Sequence, residues 1–231
     1  MEAHKGQKVN PIKDIEDVFR LLNFLEEWNE RNYLLALFGM CTGLRIGDIL
    51  ALKVADVTDI KLDRKGKKIR VSKDWIRVIE EKRDYDREVF LSDVIKSAIE
   101  NYTQDKPGEE FLFKSGKRKK FNRPIQTRQA GRIIKGAAEK VGIKENVATH
   151  SLRKTFARHI YDEEENKTYA LELIRKILGH KTIEMTRRYI GIDKDEEVKA
   201  ITIEFPKNRI DLLKCLKIYI KGHLFKGFIG M

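Results

Sequence analysis

Apolar residues return every third or fourth position early in the chain, where Ile15, Val18, Phe19, Leu22 and Leu25 mark an amphipathic helix packing on a core. The run YLLALFGMCTG, from Tyr33, is apolar on every face and predicts a fully buried helix ending near Gly43. RIGDILALKV then reads as a second helix after a tight turn. Between Lys61 and Leu91 the period changes. There the β-branched segments IRV, WIRVI and REVFL, separated by SKD and RDYDR, predict a small antiparallel sheet. Further helices are expected near 93–103, 126–141, 150–161, 168–178 and 183–190, with starts such as Thr149, Thr168 and Thr182 and stops such as Gly142 and Gly179. The fold class is therefore mainly α with a small antiparallel β-sheet. The sequence holds no internal repeat and no low-complexity segment.

The 231 residues, 41% of them hydrophobic and 9% aromatic, suffice for the core of one domain or a close pair. The longest stretch without charge, Asn32 to Leu44, falls short of the roughly 20 apolar residues that span a bilayer. No membrane helix is expected. The start, MEAHKGQKVNP, lacks the apolar stretch of a secretory signal, and Cys41 and Cys215 make neither a disulfide framework nor a zinc site. These features point to a reducing cytoplasm.

Forty-eight Lys plus Arg against 36 Asp plus Glu give a net charge of +12. That excess suits a polyanionic partner, because basic groups gain affinity by releasing counterions condensed on nucleic acid. It concentrates in KLDRKGKKIR, from Lys61, with Lys65, Lys67 and Lys68, and in KSGKRKKFNR, from Lys114, with Lys117, Arg118, Lys119 and Lys120. Both are expected as loops or hairpin tips, read either as solvated surface or as contacts to a DNA backbone. The acidic run DEEEN, from Asp162, reads as a solvated helix end, and no carboxylate cluster has metal-ligand spacing.

Arg45 opens a helix straight after the buried run and Asp48 lies one turn further on, so a carboxylate can hold the guanidinium while its fork points outward. An ordinary surface pair has the same spacing. In HSLRKTF, His150 and Arg153 share one face at a helix start, where free N–H groups and the helix dipole favour an anion such as phosphate. His180 follows Gly179 and is expected to be exposed by that turn, and Tyr189 lies nine residues later on another short helix. Singly, each of these also has a structural reading.

Together, TGLRIGD, Lys82 between two strands, HSLRKTF and LGHKTIEMTRRY resemble, in that order, the tyrosine recombinase or phage integrase family, from about Pro11 to Ile192. The resemblance implies the DNA breaking-rejoining fold of that family's catalytic domain. By it, Arg45 and Arg153 are the phosphate-clamping arginines and Asp48 the acidic partner in the first motif. Lys82 becomes the hairpin lysine, with Lys73 and Arg83 bordering the same strands. His150 and His180 become the active-site histidines and Tyr189 the nucleophile. The implied activity is site-specific recombination or integration of double-stranded DNA through a 3′-phosphotyrosyl intermediate, by a homo-oligomer, a tetramer on DNA, with no metal, no ATP or other cofactor and no small-molecule substrate. Type IB topoisomerase-like strand relaxation and a catalytically silent DNA-binding regulator are the alternatives.

The chemistry fits those groups on general grounds. Rejoining DNA without a high-energy cofactor requires the phosphodiester energy to be kept in a covalent ester to the enzyme. A phenol of pKa about 10 is mostly protonated at neutral pH, so cationic neighbours or a base such as His150 must favour the phenolate. Fixed guanidiniums and a His180 N–H can neutralise the charge that grows on the non-bridging oxygens, and a Lys82 ammonium can protonate the departing 5′ oxygen.

The expected organisation is a flexible segment 1–10, a catalytic domain 11–192 and a tail 193–231, without the upstream core-binding domain usual in the family. In the tail, Leu212, Leu213, Leu216 and Ile220 fall at helical spacing and are too apolar to hang in water. The tail either folds back as a core helix or, as the resemblance implies, docks on a neighbouring subunit.

Overall fold

The computed structural model describes residues 9–80, 85–116, 121–193 and 195. The chain divides into two units, Met1–Gly191 and Ile192–Met231, and every element below lies in the first. These are α1 (Ile15–Trp28), α2 (Glu30–Thr42), α3 (Ile46–Ala51), α4 (Val54–Val57), β1 (Thr58–Leu62), β2 (Lys68–Ser72), β3 (Trp75–Glu80), β4 (Tyr85–Phe90), α5 (Asp93–Thr103), α6 (Thr127–Lys140), α7 (Thr149–Glu163), α8 (Lys167–Leu178) and α9 (Ile183–Ile190). The mainly helical class expected from the pattern is what the chain adopts. Among the described residues no helix is long and apolar enough to cross a membrane.

Helix α2 is the centre of the core. Its run Leu34, Leu35, Ala36 and Phe38 is fully buried and packs against α1, α5 and α7, and the Phe38 ring meets Phe113 edge-on at 6.2 Å. Asn29 starts it by accepting the Asn32 N–H at 3.2 Å. The inward face of α1 is turned from the one expected: Leu25 is buried and Val18 and Leu22 pack partly buried on the core as expected, but Leu21 is buried with them, whereas Ile15 and Phe19 are 48% and 53% exposed. The same three- and four-residue steps describe two adjacent stripes on one helix, and the Leu21–Leu25 stripe is the one that meets α2.

RIGDILALKV is not one helix. It breaks at Leu52 and Lys53 into α3 and α4, because the stretch 110–112 pairs there in strand fashion. Leu112 N–H donates to the Leu52 carbonyl at 2.8 Å and Val54 N–H to the Glu110 carbonyl at 2.9 Å.

The expected single sheet is instead two separate antiparallel hairpins, β1–β2 with Thr58 opposite Ser72 and β3–β4 with Trp75 opposite Phe90. Strand β1, TDIKL, has one buried residue and carried no clear strand pattern. In β3–β4 the alternation is clean, with Ile76, Val78 and Val89 inside and Trp75, Ile79 and Phe90 outside. The β1–β2 tip is closed by Asp63, whose Oδ1 accepts the N–H groups of Lys65 and Lys67 at 2.8 Å each, and by Gly66 at φ +77°. That tip carries Lys65, Lys67 and Lys68, all exposed.

Two glycines, one in α2 and one that caps it, set where the motifs meet. A Cβ on Gly39 would sit 2.9 Å from the Leu152 Cβ, so the bare backbone lets α7 close onto α2. Gly43 ends α2 in the left-handed conformation, φ +61°, and a Cβ there would collide with the Phe156 ring. Gly43→Ala is therefore expected to destabilise the protein by about 2 to 4 kcal/mol, adding a left-handed backbone cost to overpacking. The melting temperature read by circular dichroism should fall by roughly 5 to 10 °C.

Candidate active site

Helix α7 brings its motif into the interior at the place that the two glycines clear. Its first turn is closed by Ser151, whose Oγ accepts the Ala148 N–H at 3.1 Å while its own N–H donates to the Ala148 carbonyl at 2.8 Å. His150 stands exposed in that turn. One turn on, Arg153 is only 5% exposed. Its Nη1 donates to the Gly43 carbonyl and its Nη2 to the Leu178 carbonyl at 3.0 Å. Those carbonyls close the C-terminal ends of α2 and α8, the negative ends of two helix dipoles. A guanidinium buried there exchanges water for two fixed acceptors in a favourable field.

Helix α8 starts at Asn166, which accepts the Tyr169 N–H at 3.0 Å, and stops at Gly179 in the left-handed conformation. The expected start was Thr168, but the side chain two residues earlier takes that position. The turn folds His180 back, with its N–H donating to the Arg175 carbonyl at 2.9 Å and its own carbonyl accepting from Arg175 Nη1 at 3.2 Å. The imidazole is oriented by a 3.0 Å hydrogen bond between Nδ1 and Oγ1 of the fully buried Thr186. Helix α9 begins at Thr182, whose hydroxyl accepts the Met185 N–H at 3.2 Å, and ends at Gly191, φ +78°.

Tyr189 sits on α9 against both neighbours. Its ring meets the His180 ring edge-on, centroids 5.0 Å apart and planes at 70°, and the Lys154 ammonium lies 5.0 Å from its centroid. Burial pushes the phenol above its ordinary pKa, while the charge of Arg153, a hydrogen bond to Arg153 and the charge of Arg45 pull it back without prevailing. Of the two expected means of favouring the phenolate, cationic neighbours or a base such as His150, the cations are outweighed here by burial. The Tyr189 phenol is therefore neutral at neutral pH.

Arg45 is half-buried at the start of α3, its carbonyl accepting the Ile49 N–H at 3.0 Å, and Asp48 is buried one turn further on. The structure thus gathers Arg45, Arg153, His180 and Tyr189, and places His150 on the turn that leads into Arg153. Lys82, between β3 and β4 in the sequence, lies outside the described residues, as do Lys117, Arg118, Lys119 and Lys120 and, Asp193 and Asp195 apart, the expected tail. Among the described residues no group of three or more His, Cys, Asp or Glu could hold a metal ion.

Sequence reasoning missed three residues. Lys154 follows Arg153 inside the motif, Thr186 precedes Tyr189 by three positions, and the half-buried Arg87 of β4 donates from Nη2 to the Thr42 carbonyl at 3.2 Å, beside the turn that aims Arg45. The spacing of Thr186 to Tyr189, one helical turn, was the available signal for that one. Arg87 ends the turn-like run RDYDR, which gives no sign of its inward contact.

The phage integrase family matches residues 14–196. Among individual relatives, the probable integrase/recombinase YoeC of Bacillus subtilis (strain 168) is 36% identical over 187 residues, 81% of this chain and 92% of that protein. Tyrosine recombinase XerA of Pyrococcus furiosus is 28% identical over 190 residues, 80% of this chain but only 59% of that protein. In fold, a crystal structure of XerA recombinase superposes with a TM-score of 0.58 at 22% identity, covering 95% of this chain and 66% of the other. A lambda integrase tetramer bound to a Holliday junction gives 0.58 at 17% identity, covering 82% of this chain and 50% of the other. A family match over residues 14–196, with a relative sharing a third of its residues across most of both chains, establishes that this protein belongs to the phage integrase family.

Proposed function

We propose that this chain is the strand-cutting and rejoining part of a site-specific DNA recombinase, with Tyr189 as its nucleophile. The observation that carries the reading is the Tyr189 phenol, held by a hydrogen bond to Arg153 within reach of the Arg45 charge and against the His180 ring. The family and the names of its relatives, integrase and tyrosine recombinase, favour recombination over strand relaxation or a silent regulator.

In the reaction, the Tyr189 oxygen attacks a backbone phosphorus, forming the P–O(Tyr) bond while the P–O5′ bond breaks. His150 takes the phenol proton, and Lys82 supplies one to the departing 5′ oxygen. One phosphoester replaces another, so the energy for rejoining stays in the phosphotyrosyl bond. Arg45 and Arg153 neutralise the charge that grows on the non-bridging oxygens. In the tautomer whose Nδ1 accepts the Thr186 hydroxyl, His180 carries its proton on Nε2 and adds a third donor. Rejoining is the same path reversed, with the 5′ hydroxyl of the partner strand as attacker.

The DNA partner is double-stranded, in the cytoplasm, and the working assembly is a tetramer spanning two duplexes, with residues 193–231 docking one copy on the next. The lambda integrase tetramer on a Holliday junction supports this assembly by likeness of fold. The test is incubation with nicked suicide duplexes taken from the flanks of the protein's own gene, scored for an SDS-resistant protein–DNA adduct. Lys65, Lys67 and Lys68 on the β1–β2 tip, with Lys117, Arg118, Lys119 and Lys120, contact phosphates. Log affinity should therefore fall with log salt at about −0.9 per phosphate neutralised, and replacing Lys65, Lys67 and Lys68 by Ala should flatten the slope by up to about 2.7. Fluorescence anisotropy at several salt concentrations reads this directly.

A further inference from the structure

Lys154 is 7% exposed and has no part in the reaction proposed above. A buried ammonium has to find acceptors, and two of different kinds meet this one. Its Nζ donates to the Val9 carbonyl at 2.9 Å and lies 5.0 Å from the centroid of the Tyr189 ring. Val9 belongs to the stretch before α1, which is laid along the start of α7. There Asn10 N–H donates to the Asn146 carbonyl at 3.0 Å, and Ile12 N–H donates to Oγ1 of Thr155, the residue next to Lys154, at 2.9 Å. Consecutive residues of α7 thus touch three things: Arg153 the phenol, Lys154 both the ring and the segment, and Thr155 the segment. Arg153 from α7 and Arg45 from the start of α3 act on Tyr189 by charge, and His180 from the turn before α9 meets its ring; Glu184, Arg187 and Arg188 lie on α9 itself.

We propose that Lys154 is a positioning residue for strand cutting: its ammonium holds the Tyr189 ring and ties it to the backbone of the segment Val9–Ile12, so that displacing the segment loosens the nucleophile. The proposal rests on the reading of Tyr189 as nucleophile. A cation against the face of an aromatic ring is attracted by the ring's electrons, and a cation beside a phenol favours its ionisation. The carbonyl of Val9 fixes where that cation sits. Whatever pulls on the chain at Val9 therefore acts on the tyrosine through one side chain, without touching the phosphate clamp.

The test uses the full chain in four forms: wild type, Lys154→Met, Lys154→Arg and Thr155→Val, with Tyr189→Phe to assign the Tyr189 signal. Two quantities are read: the single-turnover rate of adduct formation on the suicide duplex, and the pH at which the Tyr189 13Cζ resonance begins to move as the phenol ionises. Lys154→Met is expected to slow the adduct about tenfold, the scale of a desolvated cation–π contact, and to shift that onset upward, with DNA affinity within twofold of wild type. Lys154→Arg should recover most of both. Thr155→Val, which keeps the side-chain shape and Lys154 but releases Ile12, should move both readings the same way by less. A Lys154→Met protein with wild-type rate and onset overturns the proposal. So does a slow variant with an unmoved onset that arginine fails to rescue, which is loss of packing alone. A Thr155→Val protein indistinguishable from wild type overturns the tie to the segment. Absence of any adduct from wild type would count instead against the strand-cutting reading, and the Tyr189 resonance would still decide whether Lys154 holds the ring.

Discussion

Tyr189→Phe is expected to bind DNA as the wild type does and to yield no SDS-resistant adduct, a loss of at least roughly 10⁴-fold because a ring without its hydroxyl cannot form the ester. The fold should survive. The ring that packs edge-on against His180 and under Lys154 is unchanged, and only the hydroxyl's hydrogen bond to Arg153 disappears, worth about 1 kcal/mol. Gel mobility of the complex with and without SDS separates the two properties in one experiment. An adduct that persists in the phenylalanine variant would move the nucleophile to another residue, and peptide mapping of that adduct would name it.

Arg153→Ala is expected to fail in two ways at once, unlike Arg45→Ala. Both should slow cleavage by at least about 10²-fold, the scale of removing one fixed donor to a developing oxyanion. Arg153 is also a structural tie between the ends of α2 and α8, and its loss leaves the Gly43 and Leu178 carbonyls without that donor inside the protein. That adds a stability cost of about 3 kcal/mol. Arg45, half-buried at a helix start, should show the rate loss with a melting temperature close to wild type. Thermal unfolding beside single-turnover kinetics distinguishes the two arginines. Equal stability losses would mean that Arg45 is also holding the fold.

Much of this was legible in the sequence because the informative signals were local. The buried α2 and its stop at Gly43, the start of α9 at Thr182 and the stop of α8 at Gly179 follow from runs, caps and glycines within a few residues of one another. What escaped depends on partners distant in the chain. The break at Leu52 exists because residues 110–112 pair there, and the division of the strands into two hairpins rests on TDIKL, whose composition resembles a loop. The inward stripe of α1 is fixed by α2 and not by α1. At the site, the motifs indicated which residues to compare, but spacing could not tell that burial outweighs the arginines at the Tyr189 phenol, nor that the lysine after Arg153 points inward.

The double tie made by Arg153 also has a consequence for descent. A copy of this gene released from selection for strand exchange can discard the Tyr189 hydroxyl at little cost, whereas discarding Arg153 would unseat two helix ends and cost the protein its folding margin. Erosion of the activity should therefore proceed in a fixed order, tyrosine first and arginine last. A relative that retains the HSLRKTF arginine without the tyrosine would then be a protein that still folds and can still grip DNA, stopped partway along that route.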